Sequence, residues 1–298
     1  MLLKNVIGLC AFYSLLLSGN IFECFAPFRG CQKTPQEKLF QAALSGNEPM
    51  LDQALKENAN PLEYNNNGQL AHIVAAKEGH LIILKKLIEK NNTLINMKNK
   101  SGTTAIITAA SWHQNDIIQY LVDLPELDID QPGVLGINAL YAACTNYNYA
   151  GAKILLNKKA NPNCQSSHTL TPLHIACSRK EKNLIRLLLK CGANLAQPNI
   201  YNKTPFDYAL NHLRDEPDAM AEILTHLPSC LQSIESLEKA LNNNNLIAAS
   251  FLANRNITVY DSFKHTPIHP TGSAQTRILI DHIKQTKGTV SKSVNAIS

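Results

Sequence analysis

Cys164-x3-His168 and His174-x2-Cys177 bring two thiols and two imidazoles into one short stretch of the chain. Thiolates and imidazoles in close pairs are the donor set of a tetrahedral zinc site. Asp123, Asp128 and Asp130 gather three carboxylates in a loop insertion and are read as solvated turn residues. Nucleophilic catalysis needs a base in reach and an oxyanion partner. The sequence has no Gly-x-Ser-x-Gly, no His-Glu-x-x-His and no phosphate-cradling Gly loop. No catalytic residue is therefore assigned, no cofactor is implied, and the chain is read as a non-enzyme.

Whether the Cys/His set binds metal depends on the elements that hold it. The same stretch contains Thr171-Pro172-Leu173-His174-Ile175-Ala176-Cys177, followed by Leu187-Leu188-Leu189 and by Gly192-Ala193-Asn194. Its small pair recurs along the chain as Ala42-Ala43, Ala75-Ala76, Ala109-Ala110, Ala143-Cys144, Ala176-Cys177 and Ala209-Leu210. The step is about 33 or 34 residues. A small residue there lets two antiparallel helices, and the next unit, approach closely. Closing turns recur in phase at Asn58-Ala59-Asn60, Lys159-Ala160-Asn161 and Gly192-Ala193-Asn194. Gly68, Gly102 and Gly136 precede first helices. Gly46 and Gly79 separate the helices of a pair, and His113, Tyr147, Lys180 and Leu213 replace them later. Each second helix is apolar at helical spacing, as in Ile117, Ile118, Leu121 and Val122.

The Thr171–Ala176 run fits T-P-L-H-x-A, and with six small pairs in phase the chain resembles ankyrin-repeat proteins. The resemblance implies an all-α solenoid of stacked helix-turn-helix units joined by short hairpin loops. Five to six repeats are expected over residues 34–228, degenerate repeats and a C-terminal cap over 229–286, and a disordered tail over 287–298. Ala71-His72-Ile73, Ala105-Ile106-Ile107 and Ala139-Leu140-Tyr141 depart from Pro-Leu-His, and Phe206 and Asp207 replace Leu and His in a later copy. Thr171, Pro172, Leu173 and His174 form the structural motif, in which His174 is implied to fix the turn by hydrogen bonding with Thr171. Cys177 then occupies the small core slot, and the zinc reading gives way to a structural one. Cys144 and Cys177 share that slot in adjacent repeats. Helices packed about 8–10 Å apart hold such residues too far apart for a disulfide, which needs Cα atoms within about 7 Å.

The formal net charge is +5, and the basic residues are scattered. The basic footprint of a nucleic-acid binder is missing. Asn residues cluster at positions suited to turns and helix ends. The first 26 residues differ from the rest. Lys4 precedes an apolar stretch from Val6 to Leu17, which Ser18-Gly19-Asn20 breaks. That pattern fits a secretory signal peptide, whereas a membrane span needs about 20 apolar residues. Export or secretion is therefore expected, with cleavage after Gly19 or Ala26. The alternatives are a membrane anchor over residues 6–22 and an apolar helix docked on the first repeat.

In ankyrin arrays partners usually dock on the concave face, formed by hairpin tips and the exposed ends of first helices. The two positions after each small pair place Lys77-Glu78, Ser111-Trp112, Thr145-Asn146, Ser178-Arg179 and Asn211-His212 in that row, with Tyr201 at a tip. Trp, Tyr and Arg are enriched at interface hot spots. The competing reading packs Trp112 on Tyr147 of the next repeat. The functional expectation is a monomeric scaffold that binds a partner protein, with no nucleic acid and with membrane contact only through an uncleaved leader. By analogy it resembles bacterial ankyrin proteins that act on host cells. The rival is an enzyme or toxin with its activity in residues 213–298.

Overall fold

The computed structural model describes residues 33–228 and, beyond them, residues 236, 239, 240, 242, 243, 245, 247–249, 251 and 252. The expected leader, the tail and most of the C-terminal cap lie outside the described residues.

Short helices alternate with turns throughout. They are α1 (Pro35–Ser45), α2 (Glu48–Lys56), α3 (Ala71–Glu78), α4 (Leu81–Lys90), α5 (Ala105–Ser111), α6 (Asn115–Val122), α7 (Ala139–Thr145), α8 (Tyr149–Asn157), α9 (Pro172–Ser178), α10 (Lys182–Lys190), α11 (Pro205–His212) and α12 (Pro217–Thr225). Each odd-numbered helix packs on its even-numbered successor and on the next odd-numbered helix. The result is two helical layers with one core between them. No strand is assigned among the described residues.

The starts of these helices follow from sequence. Thr34, Asn47, Thr104, Asn138, Asn148 and Thr204 each accept a backbone N–H of the first helical turn, satisfying a donor that the helix leaves unpaired. Pro occupies the opening turn of α1, α2, α9, α11 and α12, where its missing N–H costs nothing. The small pairs are buried, including Ala42, Ala43, Ala109, Ala110, Cys144 and Cys177. Both of these cysteines are free thiols.

The turn between paired helices needs a left-handed residue. Gly46 and Gly79 supply it at φ 70° and 85°. His113, Tyr147 and Lys180 adopt the same conformation at φ 60°, 60° and 59°, at a cost of roughly 1–2 kcal/mol each against glycine. Leu213, the fourth replacement, departs from the pattern with φ −104° and is buried. At the hairpin tips, β-turns close from Gly68 N–H to Asn65, Gly102 to Asn99, Thr169 to Ser166 and Asn202 to Asn199.

The aspartates of the loop insertion do more than face water. The Asp130 carboxylate accepts the backbone N–H of Asn161 at 3.0 Å and the side-chain amide of Asn138 at 3.2 Å. Asp123 pairs with Lys158 of the next repeat at 2.6 Å. The solvated-turn expectation is corrected for Asp130, whose carboxylate ties down a backbone N–H of the next repeat, whereas Asp123 stays exposed with its ion pair at the surface. Asn163 bridges its neighbour in the same way, accepting from Asn194 N–H at 2.7 Å and donating to the Gly192 carbonyl at 3.1 Å.

Candidate interaction surface

The signature segment is built as a structural clamp. His174 Nδ1 accepts the Thr171 backbone N–H at 3.1 Å and lies 2.9 Å from its hydroxyl. With Nδ1 accepting, Nε2 carries the proton and donates to the Lys203 carbonyl at 3.0 Å. The ring also meets Tyr208 edge-on at 5.1 Å. One imidazole thus fixes its own helix start and the following hairpin, and burial lowers its pKa. Asp207 takes over the first part of this task in the next copy, accepting the Thr204 N–H and hydroxyl at 2.8 and 2.9 Å. Cys164 directs its thiol to Asn138 Oδ1 at 3.2 Å, and burial pushes its pKa up to about 12. Cys164, His174 and Cys177, which suggested zinc, are occupied in packing or hydrogen bonds of the array, and the exposed His168 has its Nδ1 3.3 Å from the Ser167 hydroxyl.

The row after the small pairs lies along one side. Trp112 is 56% exposed, so its ring is not part of the core. Lys77 from the preceding repeat places Nζ 4.7 Å from the indole centroid. Arg179, in the same row two repeats on, stacks on Tyr147 at 4.4 Å and donates to the Thr145 carbonyl. His113 reaches the Asn146 carbonyl at 2.8 Å. Glu78, Asn146, Tyr201, Asn211 and His212 are exposed. Ser111, Thr145 and Ser178 are half-buried and spend their hydroxyl protons on carbonyls of their own helices, so they contribute shape more than donors.

A half-open depression of about 230 Å³ sits between the hairpin tip and the first helices. Ile73 and Val74 form its floor, Asn99, Ser101 and Thr103 its tip side, and Lys77 and Trp112 its rim.

A second set of residues went unnoticed in the sequence. In three repeats the residue opening the second helix reaches back to the previous repeat's first helix. His80 Nε2 lies 3.1 Å from the Leu44 carbonyl, Gln114 donates to Lys77 at 3.0 Å, and Asn148 to Ala110 at 3.1 Å. Asn245, far along the chain, donates to Leu210 at 3.3 Å. Glu181 has no proton to give at this position, and Arg179 supplies the rung instead. The signal was present as a polar residue about 33 places apart, but the residue types vary too much for a motif.

The family model for ankyrin repeats (three copies) matches residues 39–133 and again 139–231. The chain belongs to the ankyrin-repeat family. Among curated proteins the ankyrin array is 26% identical over 171 residues to mouse Rabankyrin-5, covering 57% of this chain and only 15% of that protein. It is 28% identical over 186 residues to the fowlpox virus (strain NVSL) ankyrin repeat protein FPV230, covering 58% of this chain and 92% of the viral one. Among solved structures, the ankyrin repeat domain of Bcl-3, a member of the IkappaB protein family, superposes with a TM-score of 0.53 at 26% identity. That superposition covers 56% of this chain and 75% of the Bcl-3 chain.

Proposed function

We propose that this protein is a non-enzymatic interaction scaffold that binds a partner protein along the concave face of its ankyrin array. The observation that carries the reading is Trp112, a large aromatic held in the open by a stacked cation beside an apolar-floored depression. Exposed Trp and Arg at the centre of a surface are the residue types that dominate binding energy. A solenoid presents such a row rigidly, because each repeat is fixed by its neighbours. Export through the N-terminal leader, and action on host proteins, are proposed with it: the leader pattern supports the first and the bacterial analogy the second.

The test is site-specific photo-crosslinking. A photoreactive residue at position 112 should capture a discrete partner, and the same residue at exposed Glu89 on a second helix should not. Equal capture at both sites, or none at 112, would overturn the concave-face reading.

A further inference from the structure

One slot of the first helices α1 to α11 is apolar in every copy but one. Leu39, Ile106, Leu140, Leu173 and Phe206 each stand three residues before the first member of the small pair, and all are buried. His72 fills the same slot in α3, with no exposed surface and no hydrogen-bond partner for either ring nitrogen. The helices packed against α3 are α1, α4 and α5. Their ionisable side chains are Glu37 and Lys38 on α1 and Lys85, Lys86, Glu89 and Lys90 on α4, and α5 has none. His80, at the start of α4, turns to the Leu44 carbonyl, and on α3 itself Lys77 pairs with Glu78. The imidazole answers to none of these: burial lowers its pKa, opposed by a backbone group of Met97. An apolar slot penalises the charged ring and offers it no counter-charge. His174, the other buried imidazole among the described residues, bonds through both nitrogens and lies three repeats further on.

We propose that His72 is an acid-operated release for the concave face: in mildly acidic solution α3 opens and takes apart the depression beside Trp112. The proposal rests on the concave-face reading above and adds its regulation. The same helix supplies that depression with Ile73, Val74 and Lys77, and Lys77 is the cation over the indole. Opening α3 removes floor and rim together, and with them the seat of a docked side chain. The direction follows from linkage. The folded ring has a pKa of about 3, and the opened ring one of about 6.5. The opened helix takes up a proton that the folded helix refuses. The helix is therefore fully held above about pH 6.5, and its opening gains about tenfold per pH unit below that, down to about pH 3. Most carboxylates keep their charge above about pH 4.5, so the ion pairs of the array persist while His72 acts. A solenoid can open one repeat while distant repeats hold.

Native-state hydrogen exchange of the full chain, corrected for the intrinsic pH dependence of exchange, reads the opening helix by helix. It needs no partner, so its outcome is separate from the crosslink at position 112, which tests concave docking itself. Protection of the α3 amides, those of Ile73, Val74 and Lys77 included, should fall roughly 100-fold between pH 7.5 and 4.5. Protection of α8, two repeats away and without a histidine, should change far less. His72→Leu gives the slot the residue type of Leu173 and should abolish the fall in α3. His72→Gln keeps a polar side chain that does not ionise and should abolish it too, which covers a Leu variant that holds α3 too firmly for exchange to read. A fall of the same size in the natural chain and in both variants would overturn the proposal and assign the opening to another group. A fall shared equally by α3 and α8 would overturn it as general acid loosening. Protection of α3 that does not change with pH would overturn it outright.

Discussion

The guanidinium of Arg179 lies 4.4 Å from the centre of the Tyr147 ring, and Tyr147 itself sits in the left-handed region at φ 60°. A residue in an unfavourable backbone conformation is thus covered by a side chain from the next repeat. Strain within one repeat and attraction between two act on the same residue.

Tyr147→Gly would relieve about 1–2 kcal/mol of backbone strain. It would also give back about 0.4–1 kcal/mol through the freer unfolded chain and lose about 0.5–1 kcal/mol of cation–π attraction. The expected result is a near-neutral change in the natural chain and a gain of about 0.5–1 kcal/mol in an Arg179→Ala background. Urea unfolding of the four proteins of this cycle checks it. A clear loss in both backgrounds would mean that the ring does more than carry strain.

His72 is fully buried at the position where the ideal copy has Leu173, and neither ring nitrogen has a hydrogen-bond partner. Burial pushes its pKa down to about 3, opposed by a backbone group of Met97. The unfolded ring, with an ordinary pKa of about 6.5, takes up a proton that the folded ring refuses. Stability from this residue is therefore complete above about pH 6.5 and falls as pH drops towards 3, by up to about 1.4 kcal/mol per unit. His72→Leu should flatten this part of the stability–pH curve and raise stability at neutral pH by about 1–3 kcal/mol. Urea midpoints between pH 4 and 8 measure both effects, and an unchanged slope would show that another group dominates.

Trp112→Ala should separate binding from folding. An exposed substitution costs about 0.5 kcal/mol or less, with about 0.5–1 kcal/mol more for the lost Lys77 contact. The melting temperature should fall by only a few degrees. Partner affinity should fall by about 2 kcal/mol or more. A large thermal loss with intact binding would reverse the assignment.

His174→Ala removes the clamp between Thr171 and Lys203 and leaves the buried Thr171 N–H without its partner, while the Lys203 carbonyl keeps the Asn199 N–H. A cost of about 1–3 kcal/mol is expected. Hydrogen exchange should show it as local opening at α9 and the tip near residue 203, ahead of global unfolding. Uniform acceleration along the whole array would contradict a local clamp.

Deleting residues 134–167 removes one repeat in register. Contacts run between neighbours, with α5 touching α7 and α7 touching α9, so α5 and α9 can pair anew. A shorter helical array with a smaller urea m-value is expected. Circular dichroism and denaturation measure it, and loss of cooperative unfolding would show that the repeats are not interchangeable.

The array, its period and the exposure of Trp112 were legible in the sequence, because each depends on contacts within a repeat or on the same position in the next. A small pair is needed wherever helices touch, and a capping Thr or Asn wherever one begins, so residue type and spacing record them directly. The carry-over from Thr171 to His174 was legible for the same reason, being a bond across three residues. Only the tertiary structure decided which cation covers which aromatic, that Asp130 ties down Asn161, and that His80, Gln114 and Asn148 bond back across the stack. Those pairings join residues about 30 to 40 positions apart, and many donor–acceptor combinations close the same gap. The backbone carbonyl they meet carries no residue identity. Arg179 shows the consequence: its row was set by the period, but its partner, Tyr147, was set by the reach of a side chain between stacked repeats.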